Sequence, residues 1–431
     1  MELEEVVSPQ QIMKTAQGHA LGNGGEHTVY PETEDEIARI LTYASENGKS
    51  VSIIGGGTKR GFGGTKDSDD ILLSLEKFAG VIEHVPGDMT VTVKPGTVMK
   101  DIQEFLAGHN QMISLDPEWP EYATIGGIVA SNSSGPKRLK YGSARDHVIG
   151  MRVVYPDGRI TRTGGKVVKN VAGYDMNKLF VGSMGTLGVI SEITLKLRPL
   201  PKQEKLVLLS FSKENWEKLR PFTVGFLDST IEPVSLELMN PALSKKLADI
   251  ESYTLAVAFE DVESAVAFQE NWLAENKPAE MNMTVMEKDE AVSFWKRFTE
   301  LSPKDPSSSS NIRASVKTGS KNMDVFHLMV EADRLHHESG AAVYGHGGLG
   351  HGVAKMYIEG PEDKVITAVK SIRAKAEELG GYAVITHLPL AVRRQISVWG
   401  NQPSYFFLLS GIKKQADPEK ILNTGRFVGG I

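Results

Sequence analysis

Glycine constrains this chain more than any other residue type. There are 43 glycines among 431 residues, and they gather densely in three stretches: "GGGTKRGFGG" over 55–64, "ATIGGIVASNSSGPKRLKYGSARD" over 123–146, and the run from Gly165 to Ile190 that contains "GYDMNKLFVGSMGTLGVI". Glycine loses more conformational freedom on folding than any other residue, so a cluster of it marks tight turns or a close approach of main chain to something else. After the third stretch Val189, Ile193, Leu195 and Leu197 alternate with Glu192, Thr194, Lys196 and Arg198, which predicts a half-buried strand. One such loop reads as a bend; three in one half of the chain predict several close approaches along one long ligand. Neither "GGGTKRG" nor "GSMGTLG" has the G-x-G-x-x-G spacing, and "ENGKS" fails as a P-loop because Tyr43 stands where its first glycine belongs. Glycine loops without those motifs still bind phosphate through converging backbone N–H groups.

The pattern around the loops predicts regular structure. "TEDE" at 33–36 is a capping box, followed by the helical stripe Ile37, Ile40, Leu41 and Ala44, with Gly48 as a stop. The strand "VSII" leads into the first glycine loop, "TVTVKPG" leads into a helix over 98–108, and "IGMRVVYPDGRITRTG" is a hairpin turning at Asp157-Gly158. Beyond "LRPLPKQ" at 197–203 the glycines thin out, and strands alternate with helices as an α+β domain on an antiparallel sheet would have them. The predicted organisation is one domain over 1–203, a second α+β cap domain over 204–410, and a segment over 411–431 that returns to the first domain. No sequence repeat is visible, and the serine run in "SPKDPSSSSN" reads as a loop.

A net charge of −6 argues against nucleic acid and anionic membrane surfaces as partners. The absence of cysteine excludes disulfides, cysteine nucleophiles, thiolate zinc sites and cysteine-held iron–sulfur clusters within the chain. "MELEEVVSPQ" lacks the features of a signal peptide, and no apolar run approaches the roughly 20 residues of a spanning helix. A cytoplasmic location is expected, with any membrane contact made at the inner face through partners.

The loops, taken together, resemble the FAD-binding domain of the vanillyl-alcohol oxidase and p-cresol methylhydroxylase (PCMH-type) superfamily over residues 25–200. The likeness rests on "VYPETEDEIARIL", "SIIGGGTKRGFGG", "TVKPGTVMKDI", "TIGGIVASNSSGPKRLKYGSARDHVIGMRVVYPDGRI" and "GYDMNKLFVGSMGTLGVISE", in that order. "VVKNVAGYDMNKLFVGSMGTLGVISEITLKLRPLP" and "DPEKILNTGRFVGGI" are similar to the FAD-binding subunits of bacterial glycolate oxidases. The resemblance implies FAD as the long ligand. Gly55, Gly56, Gly57, Thr58, Lys59 and Gly61 would wrap the pyrophosphate, and Thr124, Gly126, Gly127, Ser131, Ser134 and Gly135 would line the other side of the nucleotide. Gly182, Ser183, Gly185, Thr186, Gly188 and Val189 would meet the ribityl chain and flavin ring. Many members bond the flavin covalently to a histidine in the first loop; Thr58-Lys59-Arg60 stand here instead, so noncovalent FAD is expected.

Related 2-hydroxy-acid dehydrogenases carry G-H-x-G-D-G-N-x-H in the cap. "YGHGGLGHGVAKMY" at 344–357 keeps His346 and the glycines, lacks the aspartate and asparagine, and brings His351 two residues early. Oxidising a 2-hydroxy acid needs a base for the hydroxyl proton, a cation for the carboxylate and a hydride acceptor. His346 and His351 are the candidate bases; Arg313, Lys317 and Arg393 are the candidate cations. Two histidines fall short of the three or four ligands of a usual zinc site, so no metal is expected. The resemblance implies glycolate oxidation to glyoxylate with a second flavoprotein subunit and an iron–sulfur subunit as partners. A self-sufficient D-lactate-type dehydrogenase and a non-catalytic flavin-binding subunit are the alternatives.

Overall fold

The computed structural model describes residues 3–15, 18–165, 174–305 and 311–431. Gly173 and the serine run at 307–310 lie outside the described residues. The capping box forms as predicted: Thr33 Oγ1 accepts from the Glu36 amide at 3.2 Å, and the Glu36 carboxylate accepts from the Thr33 amide, also at 3.2 Å. It starts the helix Glu34–Glu46, whose stripe Ile37, Ile40, Leu41 and Ala44 is wholly buried. Each large aliphatic side chain so removed from water contributes about 1.5–3 kcal/mol.

That helix belongs to a first domain of two larger sheets and a short pair, Gln111–Met112 with Arg198–Pro199. One has the strand order Ile12–Lys14, Gly24–Val29, Ser68–Ser74, Val51–Ile54, antiparallel in its first pairing and parallel in the other two. The other is antiparallel, with the order Val81–Val85, Thr90–Val93, Val189–Lys196, Val148–Val154, Ile160–Gly164. Its last two strands are the predicted hairpin, with Gly158 at φ +78° in the turn. The strand Val189–Lys196 was expected to be half-buried. It is central in its sheet, with Val189, Ile193 and Leu195 buried on one face; on the other, Thr194 is buried with its hydroxyl 3.0 Å from that of Thr92, Glu192 is half-buried and Lys196 is exposed.

The second domain is one antiparallel sheet of eight strands. Their order is Asn282–Met286, Gln203–Phe211, Tyr253–Asp261, Ser235–Met239, Ala342–Gly348, Val353–Gly360, Ile312–Gly319, Tyr382–His387. In chain order each half runs strand, helix, strand, strand, helix, strand, with one further helix, Pro241–Ala248, inside the first half and another, Lys288–Thr299, between the halves. The two halves meet edge to edge where Ser235–Met239 pairs with Ala342–Gly348. This is a structural repeat that the sequence does not display.

The C-terminal segment lies against the first domain. Lys413 on the helix Phe406–Ala416 is buried and donates to the carbonyls of Thr186 and Leu422 and to Asp417. Asn423 then accepts from the Ile53 amide at 3.0 Å and donates to the Met184 carbonyl at 2.7 Å, tying the first glycine loop to the third.

Candidate functional site

The three glycine stretches converge on one cleft, which encloses about 930 Å³ with its open mouth included. Gly55, Gly56, Gly57, Thr58 and Lys59 line it from the first loop, and Thr124, Gly126, Gly127 and Ser131 from the second. Gly185, Gly188 and Val189 line it from the third, and Asn423 and Arg426 from the C-terminal segment.

Several glycines exist to let these loops touch one another. A Cβ on Gly56 would fall on the Tyr122 carbonyl, one on Gly55 on the Thr124 side chain, and one on Gly126 would come within 2.6 Å of Pro95. Gly185 combines φ +71° with a Cβ position 2.7 Å from Asn423, and at Gly188 the obstacle is Val153 at 2.5 Å. At Gly55, Gly56, Gly126, Gly185 and Gly188, neighbouring protein occupies the space that a Cβ would need. Gly61 packs on His387 of the cap, and Gly135 packs on Asp116; neither lines the cleft. Ser183 and Thr186 are buried, the Thr186 hydroxyl donating to the Ser183 carbonyl at 2.7 Å. Ser134 and Gly182 line an adjoining cavity instead.

The cleft suits an anionic dinucleotide. Among the described residues nothing accepts a hydrogen bond from the amides of Gly56, Gly57, Thr58 or Lys59, four consecutive donors on its wall. Arg60 lines both the cleft and its outward continuation beside His19, and no carboxylate among the described residues pairs with it. Burial lowers the Arg60 pKa, as expected for a guanidinium held without a counter-ion. Arg426, half-buried on the cleft wall, donates to the carbonyls of Ile53, Lys59 and Phe62, fixing the shape of the first loop.

The adjoining cavity lies between the cleft and the cap sheet. It encloses about 870 Å³ with its opening, and it shares Lys59, Glu118, Ser131, Ser133 and Met184 with the cleft as a common wall. The cap contributes Lys317, Lys355, Tyr382, Val384, Thr386 and Trp399. Lys317 lies directly opposite Lys355 on the neighbouring strand, and Lys355 opposite His346 on the next, so the three form one rung across the sheet. Glu118, from the first domain, accepts from Lys355 Nζ at 3.0 Å, from Tyr357 Oη at 3.3 Å and from Lys59 Nζ. Burial would raise the Glu118 pKa, but the charges of Lys355 and Lys59 win and hold it well below the usual carboxylate range. Burial, together with Lys355, Arg138 and Lys59, pushes Lys317 down to about 8.

Both candidate histidines converge on Glu237. His346 Nδ1 is 2.7 Å from one of its oxygens and His351 Nε2 is 3.3 Å from the other. Burial would raise the Glu237 pKa, but the two histidines hold it at about 2. His346 Nε2 is 3.1 Å from Tyr357 Oη, so both of its ring nitrogens are engaged, and the ring stands behind Tyr357 rather than on the cavity wall. A direct contact between His346 and substrate is thus not what the structure shows. Arg393, expected as a carboxylate grip, is 2% exposed and donates to the carbonyls of Leu21, Gly64 and Leu388; it fastens the cap to the first domain. Arg313 lies opposite Glu359 and lines a separate hollow with Arg297 and Tyr344. Sequence reasoning missed Glu118, Glu237, Lys355 and Tyr357. Each occupies an ordinary position in "DPEWPEY", "VSLELM" or "VAKMYIE", and only strand register brings them together. Among the described residues no group of three or more His, Cys, Asp or Glu is arranged to hold a metal ion, and no helix is long and apolar enough to cross a membrane.

Comparison with known proteins gives the same reading of the cleft. Residues 26–164 match the family model described as FAD binding domain. The first domain is an FAD binding domain, and the chain has the PCMH-type fold. The solved structure of p-cresol methylhydroxylase with substrate bound superposes with a TM-score of 0.76 at 14% identity, covering 98% of this chain and 95% of that one. Glycolate oxidase subunit GlcD of Bacillus subtilis is 36% identical over 212 residues, 49% of this chain. The match spans 45% of that protein's own length. D-lactate dehydrogenase of Archaeoglobus fulgidus is 29% identical over 426 residues, 93% of this chain and 90% of that protein.

Proposed function

We propose that this FAD-binding chain is an oxidoreductase that converts a small 2-hydroxy acid, glycolate in the first instance, to the 2-oxo acid as the flavoprotein subunit of a larger complex. The observation that carries the reading is the lysine-lined cavity that shares a wall with the FAD cleft. FAD, when bound, supplies the acceptor for the hydride leaving the substrate carbon. Lys317 pairs with no carboxylate among the described residues and would hold the substrate carboxylate. His346 and Glu237 act as positioning residues: they hold Tyr357, which with Lys355 fixes Glu118 across the domain boundary. His351 shares Glu237 and belongs to the same support. Of the four residues expected to be catalytic, Arg313 and Arg393 drop out of the chemistry on their placement.

The noncovalent link, the location and the partners belong to the same proposal. Thr58, Lys59 and Arg60 offer no covalent anchor for the flavin. Two electrons must leave after each turnover, and a chain without cysteine has no iron–sulfur relay of its own. The likeness to a glycolate oxidase subunit supports a second flavoprotein and an iron–sulfur protein as partners, in the cytoplasm or at the inner face of the membrane. The match along 93% of the chain to a D-lactate dehydrogenase favours a second reading, in which D-lactate is the substrate. Purified chain should be yellow and release FAD on acid precipitation, and anaerobic mixing with glycolate and with D-lactate should bleach it at different rates. A flavin that neither acid bleaches would remove the proposal. A tagged chain taken from its native cell should bring cysteine-rich partners; full turnover with rapid peroxide release by the chain alone would sink the complex.

A further inference from the structure

We infer that Glu118 restricts the cavity to substrates with a single carboxylate, because it acts as a built-in counter-ion for two of the three cavity lysines. The inference rests on the reading of this cavity as the substrate site, and it narrows the substrate class.

Like charges placed directly opposite on neighbouring strands repel, yet Lys317 and Lys355 face each other in that way. Glu118 relieves one of them. It reaches across from the first domain to Lys355, takes Lys59 from its own domain and accepts a third bond from Tyr357. Its side chain is 7% exposed, and those of Lys59 and Lys355 are 19% and 13% exposed. Removing one member of such an ionic group strands the others without a partner in a poorly hydrated place. A substrate that claimed Lys59 or Lys355 would have to displace Glu118 and leave its charge buried. Lys317 is the remaining cavity lysine, and it has no carboxylate partner among the described residues.

The rest of the cavity offers a second carboxylate no cation: its other polar side chains, Ser131, Asn132, Ser133, Ser134, Tyr382 and Thr386, are neutral. Phe62, Trp399 and Phe427 form one wall, with ring centroids 5.1 Å apart between Phe62 and Trp399 and 4.9 Å apart between Trp399 and Phe427. A carboxylate against those rings would be desolvated with no positive charge in exchange. A hydrogen or a small apolar group on the substrate carbon meets no such penalty.

The test measures equilibrium binding of inert acids to the FAD-loaded protein, followed by calorimetry and by the flavin absorbance. Wild type should bind propionate at least about 10-fold more tightly than succinate, the margin expected when one anion lacks a buried partner. Glu118→Gln frees two lysines for a second carboxylate, so it should tighten succinate by about 10-fold or more relative to propionate, which has only one carboxylate to place. Lys317→Met should weaken propionate about 10-fold with the FAD content unchanged. Equal binding of the two acids by wild type overturns the inference and needs no variant, so a Glu118→Gln protein that fails to fold does not shelter it. An unaltered preference in a folded Glu118→Gln protein, or binding of neither acid, overturns it as well. Because no turnover is involved, a protein that prefers propionate but is bleached by no 2-hydroxy acid would refute the proposed activity and leave the charge assignment standing.

Discussion

The FAD cleft and the cap side of the cavity beside it are walled by different material. On the first-domain side the wall is main chain: Gly55 to Thr58 approach Tyr122 and Thr124 so closely that Cβ atoms are excluded from the first two positions. On the cap side it is side chain: Lys317 and Lys355 line the cavity from one rung of a sheet, Lys355 paired with Glu118, while His346 on the same rung stands behind the wall against Glu237. A main-chain wall can be built only from a few residue types in a fixed order, and it tolerates almost no change at its contacts. A side-chain wall uses residues common on any surface, and its chemistry depends on which strands happen to be neighbours. The first holds a ligand whose shape is fixed; the second can be retuned by single substitutions.

The largest effect should follow from breaking the main-chain wall. Gly56→Val places a branched side chain on the Tyr122 carbonyl, an overlap no rotamer relieves, so the first and second loops must part. FAD affinity should fall by about 100-fold or more, the order expected when groups that hold a ligand are displaced by about an ångström. A flavin titration of the purified variant measures it, and a variant that purifies yellow with wild-type affinity would show that the loops do not form the cradle.

The cap should respond differently to an equally drastic change. His346→Ala leaves Glu237 buried with one partner fewer and costs about 3 kcal/mol of cap stability, typical of a broken buried pair. Flavin reduction should slow by about 10-fold or more as Tyr357 and Glu118 lose their support, while FAD affinity stays within about 2-fold. Stopped-flow bleaching beside a flavin titration separates the two. A matching loss of both would mean that the walls are one unit, and the contrast drawn between them would fall.

The contrast also explains what could be read in the sequence. The capping box at Thr33 and the turn at Gly158 are local, and a few neighbouring residues determine them. The cradle is legible for a related reason, since Gly55, Gly56 and Gly126 cannot be other residues without collision. Glu118 lies among "DPEWPEY" beside Glu121, an exposed carboxylate, and nothing local tells the two apart. Glu237 alternates with leucines as a solvent-facing residue would, yet its strand is central and fully buried. The rung Lys317–Lys355–His346 joins residues from three strands, and its existence depends on register that no single strand carries. Arg393 shows the same limit: an arginine near a predicted site looks like an anion grip until three carbonyls are found on it.

Acid should separate the walls by a smaller margin. His387 packs on Gly61 at the seam between the domains; burial, with Lys59, Arg393 and Arg313 nearby, pushes its pKa down to about 3. Burial and Lys196 push His147, in the first domain, down to about 4. Both stay neutral in the fold while the unfolded chain takes up protons, so stability is lost as pH falls below 6.5, by about 2 kcal/mol for each at pH 5. Glu237 has the opposite charge but the same sign of dependence. Its depressed pKa contributes stability that is complete above 4.5 and lost only as pH falls from there toward about 2. FAD release, followed by flavin fluorescence, should therefore begin as the first domain and its seam with the cap weaken below pH 6.5, before the Glu237 contribution within the cap is lost. Simultaneous loss of FAD and of cap structure would show that the two domains unfold as one.

The smallest effect is the most selective. Gly127 lines the FAD cleft at the third position of the helix Ile125–Ser131, and its nearest obstacle to a Cβ is Thr124 Oγ1 at 3.3 Å. Its backbone is helical, so alanine is not strained there, and exchanging glycine for alanine within a helix usually stabilises by about 0.5–1 kcal/mol. Unlike Gly56, then, Gly127 is not required by any protein neighbour, and the reason for glycine there must lie on the cleft side. Gly127→Ala should leave the melting temperature of the FAD-free protein unchanged or raised, while weakening FAD by about 10-fold, the equivalent of about 1.4 kcal/mol. The two shifts have opposite signs, which a general loosening of the loop cannot produce. Equal FAD affinity in the variant would mean that the cofactor does not approach this helix, and that the glycines of the second stretch serve only to let protein pack on protein.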